Sequence, residues 1–337
     1  MSSAKPNVFV AIRPELYKRL FSPAVDQQLR SAANLAFNTE NRNLSATDLA
    51  AVIGSYDAMV SGWGTPAFTP EVLAAKGKLR LVAHSAGSVK HMVTEAFFNK
   101  GLQLTHAAAA IAPSVAEMSL IITMMMLRSV PQYMQLMRNN QPWDDASKVR
   151  TGIELAGTRV GVVGAGYTGR CFIQLLRAMN AEIWVYDPFL TDSRATEMGV
   201  KKVELHALLK ECPVVSLQAP STPETKHMIG KKELALLRDG AIFINTARSW
   251  LTDEAALFEA LKTGRFIAAL DVFDQEPLPA DSPFRTLPNV YLTPHIAGLS
   301  TQTSFRQGKF MADEIERFFS GKPLQYQVTL PMLKTMA

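Results

Sequence analysis

One short segment constrains the fold of this chain more than any other. Residues 160–170 read Val160-Gly161-Val162-Val163-Gly164-Ala165-Gly166-Tyr167-Thr168-Gly169-Arg170. A helix-like stretch follows, and then Ile183-Trp184-Val185-Tyr186-Asp187. The pattern is strand, glycine turn, helix, strand, and two strands joined this way must lie parallel in a sheet. Gly164 suits the tight turn out of the strand. Gly166, lacking a Cβ, lets a pyrophosphate approach the backbone, and Gly169 lets the helix pack closely on the sheet. The free N–H groups and positive dipole end of that helix then face an anion. Asp187 stands 18 positions after Gly169, where a carboxylate can hydrogen-bond an adenosine ribose. A dinucleotide site is expected here. The carboxylate accepts from ribose hydroxyls and repels a 2′-phosphate, so NAD is favoured over NADP. Arg194, seven positions on, is the nearest following cation.

The chain has 337 residues, enough for two domains, and its 47% hydrophobic and 19% charged content is that of a globular enzyme. The net charge of +5 is spread out with no Lys/Arg tract, so a nucleic-acid partner is not expected. Two cysteines, Cys171 and Cys212, form no disulfide framework. The start, Met1-Ser2-Ser3-Ala4-Lys5-Pro6, lacks the basic end, apolar run and cleavage site of a secretory leader. The apolar run 120–127 is too short to span a bilayer. These features lead to the expectation of a cytoplasmic protein with no membrane partner. No metal-ligand spacing is present.

The first third alternates strand-like and helix-like pieces, with strands at 8–12, 58–60 and 79–83. Thr69-Pro70-Glu71 reads as a helix start. Ser114-Val115-Ala116-Glu117 has the spacing of a capping box, which predicts a long helix from there to about Arg138 that bridges two domains. From Arg159 six strands are expected, near 160–163, 183–186, 214–217, 241–245, 267–272 and 290–292, as in a doubly wound sheet. A helix over 304–319 and an extended piece over 326–330 return to the first domain.

Three polar signals lie at the ends of the later strands. Asn245-Thr246-Ala247-Arg248 follows one, Asp271-Val272-Phe273-Asp274-Gln275-Glu276-Pro277 ends the next, and Thr293-Pro294-His295-Ile296-Ala297-Gly298 follows the last. Ligands bind beyond the carboxyl ends of such strands, so Arg248, Glu276 and His295 can converge although distant in sequence. With these residues and the glycine turn, the chain resembles the D-isomer-specific 2-hydroxyacid dehydrogenase family over nearly its whole length. The resemblance implies an α/β fold. A doubly wound Rossmann cofactor domain, residues 126–299, is inserted in a smaller flavodoxin-like substrate domain, residues 1–125 and 300–337. It implies hydride transfer between NAD and a 2-keto or D-2-hydroxy acid, and a homodimer. His295 would be the acid and base, since imidazole titrates near neutrality. Glu276 would orient it, and Arg248 would hold the substrate carboxylate and polarise the keto group.

The family also implies that the backbone N–H groups of Gly87, Ser88 and Val89 bind the carboxylate, alongside Arg248 and His295. It places Gly164, Gly166, Tyr167, Thr168, Gly169, Asp187, Pro188, Ala219, Pro220, Thr225, Thr246, Ala247, Asp271 and Gly298 around the cofactor, with Asp271 on the nicotinamide amide. Departures from the family pattern are Ser249 and Trp250 after Arg248, a carboxylate loop without its second glycine, and Gln218 where many members have His. Lys90 and His84 are candidate contacts for a polar substrate tail. Trp143 is a candidate to reach a partner subunit. Glyoxylate or hydroxypyruvate is the first expectation for substrate. Phosphoglycerate is a candidate, although 337 residues leave no room for an additional regulatory domain. The competing expectation is a nucleotide-sensing binding module resembling the C-terminal-binding-protein corepressors. Formate oxidation on the same fold is disfavoured by Glu276 beside His295.

Overall fold

The computed structural model describes residues 5–336, so the expectation about a leader rests largely on residues outside those described. Its contacts divide the chain into two compact units, Met1–Ile111 with Leu299–Ala337, and Ala112–Gly298.

The first unit holds strands β1 (Asn7–Val10), β2 (Asn34–Phe37), β3 (Ala58–Ser61), β4 (Leu81–His84) and β5 (Gln103–His106), interleaved with helices α1 (Pro14–Leu20), α2 (Pro23–Ala32), α3 (Ala46–Ile53), α4 (Pro70–Ala74) and α5 (Glu95–Asn99). The sheet order is β2-β1-β3-β4-β5, all parallel. This is the flavodoxin-like winding, with both faces covered by helices. The side-chain alternation shows it. Val8, Val10, Val60, Leu81 and Ala83 pack into one cluster with α1 and α2. Their neighbours Phe9, Met59, Val82 and Leu104 pack into the opposite one with α3, α4 and α5. Successive strand residues point to opposite faces, so a strand buried on both sides reads as an unbroken apolar run.

The second unit opens within α6 (Ala108–Leu127), continues through α7 (Val130–Arg138), and then builds strands β6 (Arg159–Val163), β7 (Glu182–Tyr186), β8 (Lys201–Lys202), β9 (Val214–Leu217), β10 (Ile242–Asn245), β11 (Ile267–Leu270) and β12 (Val290–Leu292). Helices α8 (Tyr167–Ala178), α9 (Asp192–Met198), α10 (Leu205–Glu211), α11 (Lys231–Leu236) and α12 (Glu254–Lys262) lie between these strands. The all-parallel order β8-β7-β6-β9-β10-β11-β12 reverses direction between β6 and β9, the switch point where a Rossmann sheet opens its ligand crevice. The chain then re-enters the first unit as α13 (Thr301–Phe319) and β13 (Gln327–Val328), which pairs antiparallel with β5.

Three sequence readings are corrected. The helix expected over 114–138 starts at Ala108, with Pro113 inside it, and ends at Leu127; α7 is separate. It cannot run through because Pro131 has no N–H and its ring would strike the carbonyl of residue 127. Ser129 makes the break in a left-handed conformation with φ 50°. Second, the later sheet has seven strands, because the two exposed lysines of β8 carry no apolar signal. Third, the apolar helix is longer than the 120–127 run suggests. By length and composition α6 is apolar enough to cross a bilayer, but 56% of its most apolar window is buried inside the protein. Ala116, Ile122, Met126 and Leu127 pack there against Val160, Val162, Phe172 and Ile173.

Candidate functional site

Within the second unit, the turn between β6 and α8 is shaped by two glycines that nothing else can replace. Gly164 has φ 103°, and a Cβ there would sit 2.7 Å from the Ala219 backbone. A Cβ on Gly169 would sit 2.1 Å from the Gly164 carbonyl oxygen, so α8 packs directly on the turn. Gly166 differs: a Cβ on it would meet nothing within 4 Å. Its bareness serves nothing inside the protein and leaves the start of α8 open to an approaching group. Asp187 closes the other side. Its Oδ2 accepts from Ala165 N at 2.7 Å and its Oδ1 from Phe189 N at 2.8 Å. Each carboxylate oxygen has a second acceptor position left for hydroxyl donors. An open helix N-terminus beside a half-used carboxylate has the donors and acceptors that the pyrophosphate and ribose of a dinucleotide require.

Gly169→Ala is expected to cost about 1–3 kcal/mol through overpacking, lowering Tm by roughly 2–10 °C for a unit of this size. Gly166→Ala is expected to change stability by no more than ~0.5 kcal/mol. Parallel thermal melts check the pair; equal Tm losses would contradict the packing argument.

The other residues expected around a cofactor fall into three groups. Tyr167 and Thr168 open α8, and Tyr167 and Pro188 are exposed. Ala219 packs on Gly164, while Thr225 Oγ1 donates to the Pro220 carbonyl at 2.7 Å, tying the loop after β9. Thr246 is buried, with its hydroxyl 2.8 Å from Ser119 Oγ and 3.3 Å from Gln218 Nε2. Gln218 is thus built into an internal hydroxyl cluster with Ser119, Thr246 and Ser216, a use that its place in the sequence does not reveal.

The three expected chemical groups come from the carboxyl ends of β10, β11 and β12. Asn245, buried at the end of β10, donates through Nδ2 to the Arg248 carbonyl at 2.9 Å and accepts from Ala247 N at 3.1 Å. It fixes the bend that carries Arg248, whose Nη1 donates to the Ala247 carbonyl at 2.6 Å. Burial pulls the guanidinium below its ordinary pKa, and the nearby Glu276 charge opposes that shift. Glu276 Oε2 lies 2.6 Å from His295 Nδ1, and its Oε1 accepts from Phe273 N at 3.0 Å.

His295 has φ 53°, a left-handed conformation uncommon for a residue other than glycine. Asp271 holds the loop that carries it. Its side chain is fully buried and accepts from Thr293 Oγ1 at 2.5 Å, Ile296 N at 2.9 Å and Ala297 N at 2.9 Å. Three donors to one buried carboxylate clamp the 293–298 loop, which ends at Gly298. Glu276 and His295 keep 35% and 47% of their side-chain surface. An exposed pair of this kind adds little to stability, so the clamp is best understood as serving the position of the imidazole.

Gly87, Ser88 and Val89 belong to the first unit, in the loop after β4. Val89 is buried, and the other two are partly exposed. His84, a candidate for contact with a substrate tail, does not face outward: it is completely buried, with its ring nitrogens on Ser61 and on the Ser88 carbonyl.

Comparison with known proteins agrees with this architecture. The family model described as "D-isomer specific 2-hydroxyacid dehydrogenase, NAD binding domain" matches residues 120–297. A D-3-phosphoglycerate dehydrogenase of Methanocaldococcus jannaschii is 34% identical over 86% of this chain and 54% of its own length. A glyoxylate reductase of Korarchaeum cryptofilum is 33% identical over 79% of this chain and 80% of its own. The chain therefore spans about half the length of the first of these relatives. A crystal structure of a Pyrococcus horikoshii protein superposes with a TM-score of 0.83 at 22% identity, covering 98% of this chain and 97% of that one, which speaks for the fold alone. The nicotinamide-binding unit matched by its family model, the fold shared with a solved structure and relatives above 30% identity agree, and the chain belongs to the D-isomer specific 2-hydroxyacid dehydrogenase family.

Proposed function

We propose that the protein interconverts a 2-keto acid and a D-2-hydroxy acid, with NAD as cofactor and with Arg248, Glu276 and His295 as the reacting site. The observation that carries this reading is the 2.6 Å contact between Glu276 and a His295 held in a left-handed conformation. The bound cofactor supplies the hydride to C2. His295 deals with the proton. Its Nδ1 faces a carboxylate oxygen that can only accept, so Nδ1 keeps a proton throughout, and Nε2 gives its proton to the carbonyl oxygen during reduction. In oxidation the same nitrogen takes it back. Glu276 stabilises the imidazolium that this cycle requires and fixes the ring, while Phe273 N and His295 hold the carboxylate between them. Arg248 offers a permanently charged fork, suited to a carboxylate and an adjacent keto oxygen. Within the first unit, the amides of residues 87–89 are assigned to binding a carboxylate.

Gly164, Gly166 and Gly169, with the first residues of α8, are assigned to the pyrophosphate and Asp187 to the ribose. A 2′-phosphate would face the Asp187 charge, so NAD is preferred over NADP. The relatives' names suggest the substrates to try first: glyoxylate, hydroxypyruvate and phosphohydroxypyruvate. The test is NADH oxidation with these and with pyruvate, phenylpyruvate and a branched-chain keto acid. Turnover with at least one is expected, with KM for NADPH at least about tenfold above that for NADH, a difference of ~1.4 kcal/mol. NADH binding without turnover on any would overturn the reading in favour of a nucleotide-sensing module.

A homodimer is part of the proposal. Met134 and Met137 on α7 and Trp143 just beyond it are 46%, 54% and 79% exposed, and the two methionines line one apolar hollow with Val130 and Tyr133. Such a cluster is costly to leave in water and suits an isologous contact. Met134→Glu with Met137→Glu is expected to shift the light-scattering mass from two copies to one. A wild-type mass of one copy would refute the dimer.

A further inference from the structure

Ser61, His84 and His106 end three adjacent strands in matched register: Ser61 of β3 opposes His84 of β4, and His84 opposes His106 of β5. All three are buried, at the carboxyl ends of an otherwise apolar parallel sheet. That is an expensive place for imidazoles, and the hydrogen bonds they make there offset part of the cost. His84 Nε2 lies 3.1 Å from the Ser88 carbonyl oxygen and its Nδ1 2.9 Å from Ser61 Oγ. His106 Nδ1 lies 3.0 Å from the Gly87 carbonyl oxygen. A carbonyl only accepts, so each histidine donates to the loop. In the neutral ring, Nδ1 of His84 is then left to accept from the Ser61 hydroxyl. Burial brings the His84 pKa down to about 3, with His91 and His106 adding to the effect, and burial lowers His106 as well. Both rings are therefore neutral near neutral pH, and their tautomers are set.

The consequence for the loop is geometric. Two successive carbonyls, of Gly87 and Ser88, are drawn inward onto imidazole N–H groups. Among the described residues, no protein acceptor takes a hydrogen bond from the N–H of Gly87, Ser88 or Val89. We infer that His84 and His106 are positioning residues for an anion site: by holding the carbonyls of Gly87 and Ser88, they orient the N–H groups of the same two peptide units, those of Ser88 and Val89, to receive a carboxylate, while the peptide that carries Gly87 N–H is held through Ala107 N on the Ala86 carbonyl. The inference rests on the proposed 2-keto acid chemistry, and it adds the two groups on which the carboxylate loop depends.

Amide side chains of matching reach separate positioning from general stability. The Nδ2 of asparagine is as many bonds from the main chain as Nδ1 of histidine, and the Nε2 of glutamine as many as Nε2. His106→Asn and His84→Gln therefore retain the donor to the loop, whereas His106→Leu and His84→Leu remove it. The leucine variants are expected to raise KM for the 2-keto acid about tenfold or more, the scale of one misdirected hydrogen bond. Their kcat and NADH affinity are expected to stay within about threefold of wild type. The asparagine and glutamine variants are expected to recover most of the lost KM. A wild-type KM in both leucine variants, or amide variants no better than leucine, overturns the inference.

Backbone amide NMR provides a readout independent of turnover. In wild type, the Gly87, Ser88 and Val89 resonances are expected to shift on titration with glyoxylate, and His106→Leu to abolish the shift. Should wild type fail to oxidise NADH with every keto acid while these amides still respond, the reaction proposal fails and the anion site stands. Should the wild-type amides not respond, the anion site fails.

Discussion

Replacing His295 with alanine is expected to lower kcat/KM for the 2-keto acid by about 100- to 10,000-fold, the range of a lost general acid. NADH affinity and Tm are expected to change little, because the side chain is exposed and its hydrogen bond among the described residues is to Glu276. Glu276→Gln provides the graded comparison. The carboxylate uses one oxygen for His295 and the other for Phe273 N, but a glutamine has one accepting oxygen and cannot serve both donors. It also lacks the charge that stabilises the imidazolium. The loss should therefore fall mainly in kcat. Near-normal turnover in His295→Ala would remove the histidine from the chemistry.

Arg248→Ala is expected to cost roughly 2–5 kcal/mol in kcat/KM, about 30- to several-thousand-fold, as when one partner of a buried charge pair is deleted. Unlike the histidine variant, it should raise KM for the keto acid as well as lower kcat, because the guanidinium both holds the carboxylate and polarises the carbonyl. Arg248→Lys keeps the charge without the fork and is expected to recover only part of the loss. The bend carrying the side chain is held by Asn245, a separate residue, so thermal stability should hold in both variants. A KM unchanged by Arg248→Ala would contradict the carboxylate role. Steady-state kinetics across the keto acid panel distinguishes these outcomes.

The glycine turn and the strand ends are legible in the sequence because their physical requirements fall on single residues. Only glycine tolerates φ 103° at position 164, and only glycine lets α8 approach the carbonyl of Gly164. The central strands are legible because residues such as Val160 and Val162 bury one face and Val163 the other. The edges are not: β2 is half-buried, and β8 consists of two exposed lysines. The break at Ser129 depends on Pro131 outweighing the local helical pattern. Least legible are the supports. Asp271 clamps the histidine loop, and His84 and His106 hold the loop after β4, through hydrogen bonds to backbone groups up to 26 positions away. No periodicity reports such contacts. The one available trace is a polar residue closing an apolar strand, as in Leu81-Val82-Ala83-His84.

The return of α13 to the first unit has a consequence for how the molecule comes off the ribosome. Met311, Ala312 and Ile315 fill the cluster that β1, β3 and β4 begin, Gly308 packs its bare Cα against the Leu20 carbonyl, and Gln28 reaches Asp313 and Glu316. None of these contacts exists while the first 111 residues emerge. Translation at about 5–20 residues per second then spends roughly 10–40 s on residues 112–298 before α13 appears. Throughout that interval one apolar face of the nascent flavodoxin-like sheet lacks its closing helix, while the inserted unit can already fold as a unit. The unit translated second is thus the first that can be completed, and the unit begun first stays without its closing helix until α13 arrives.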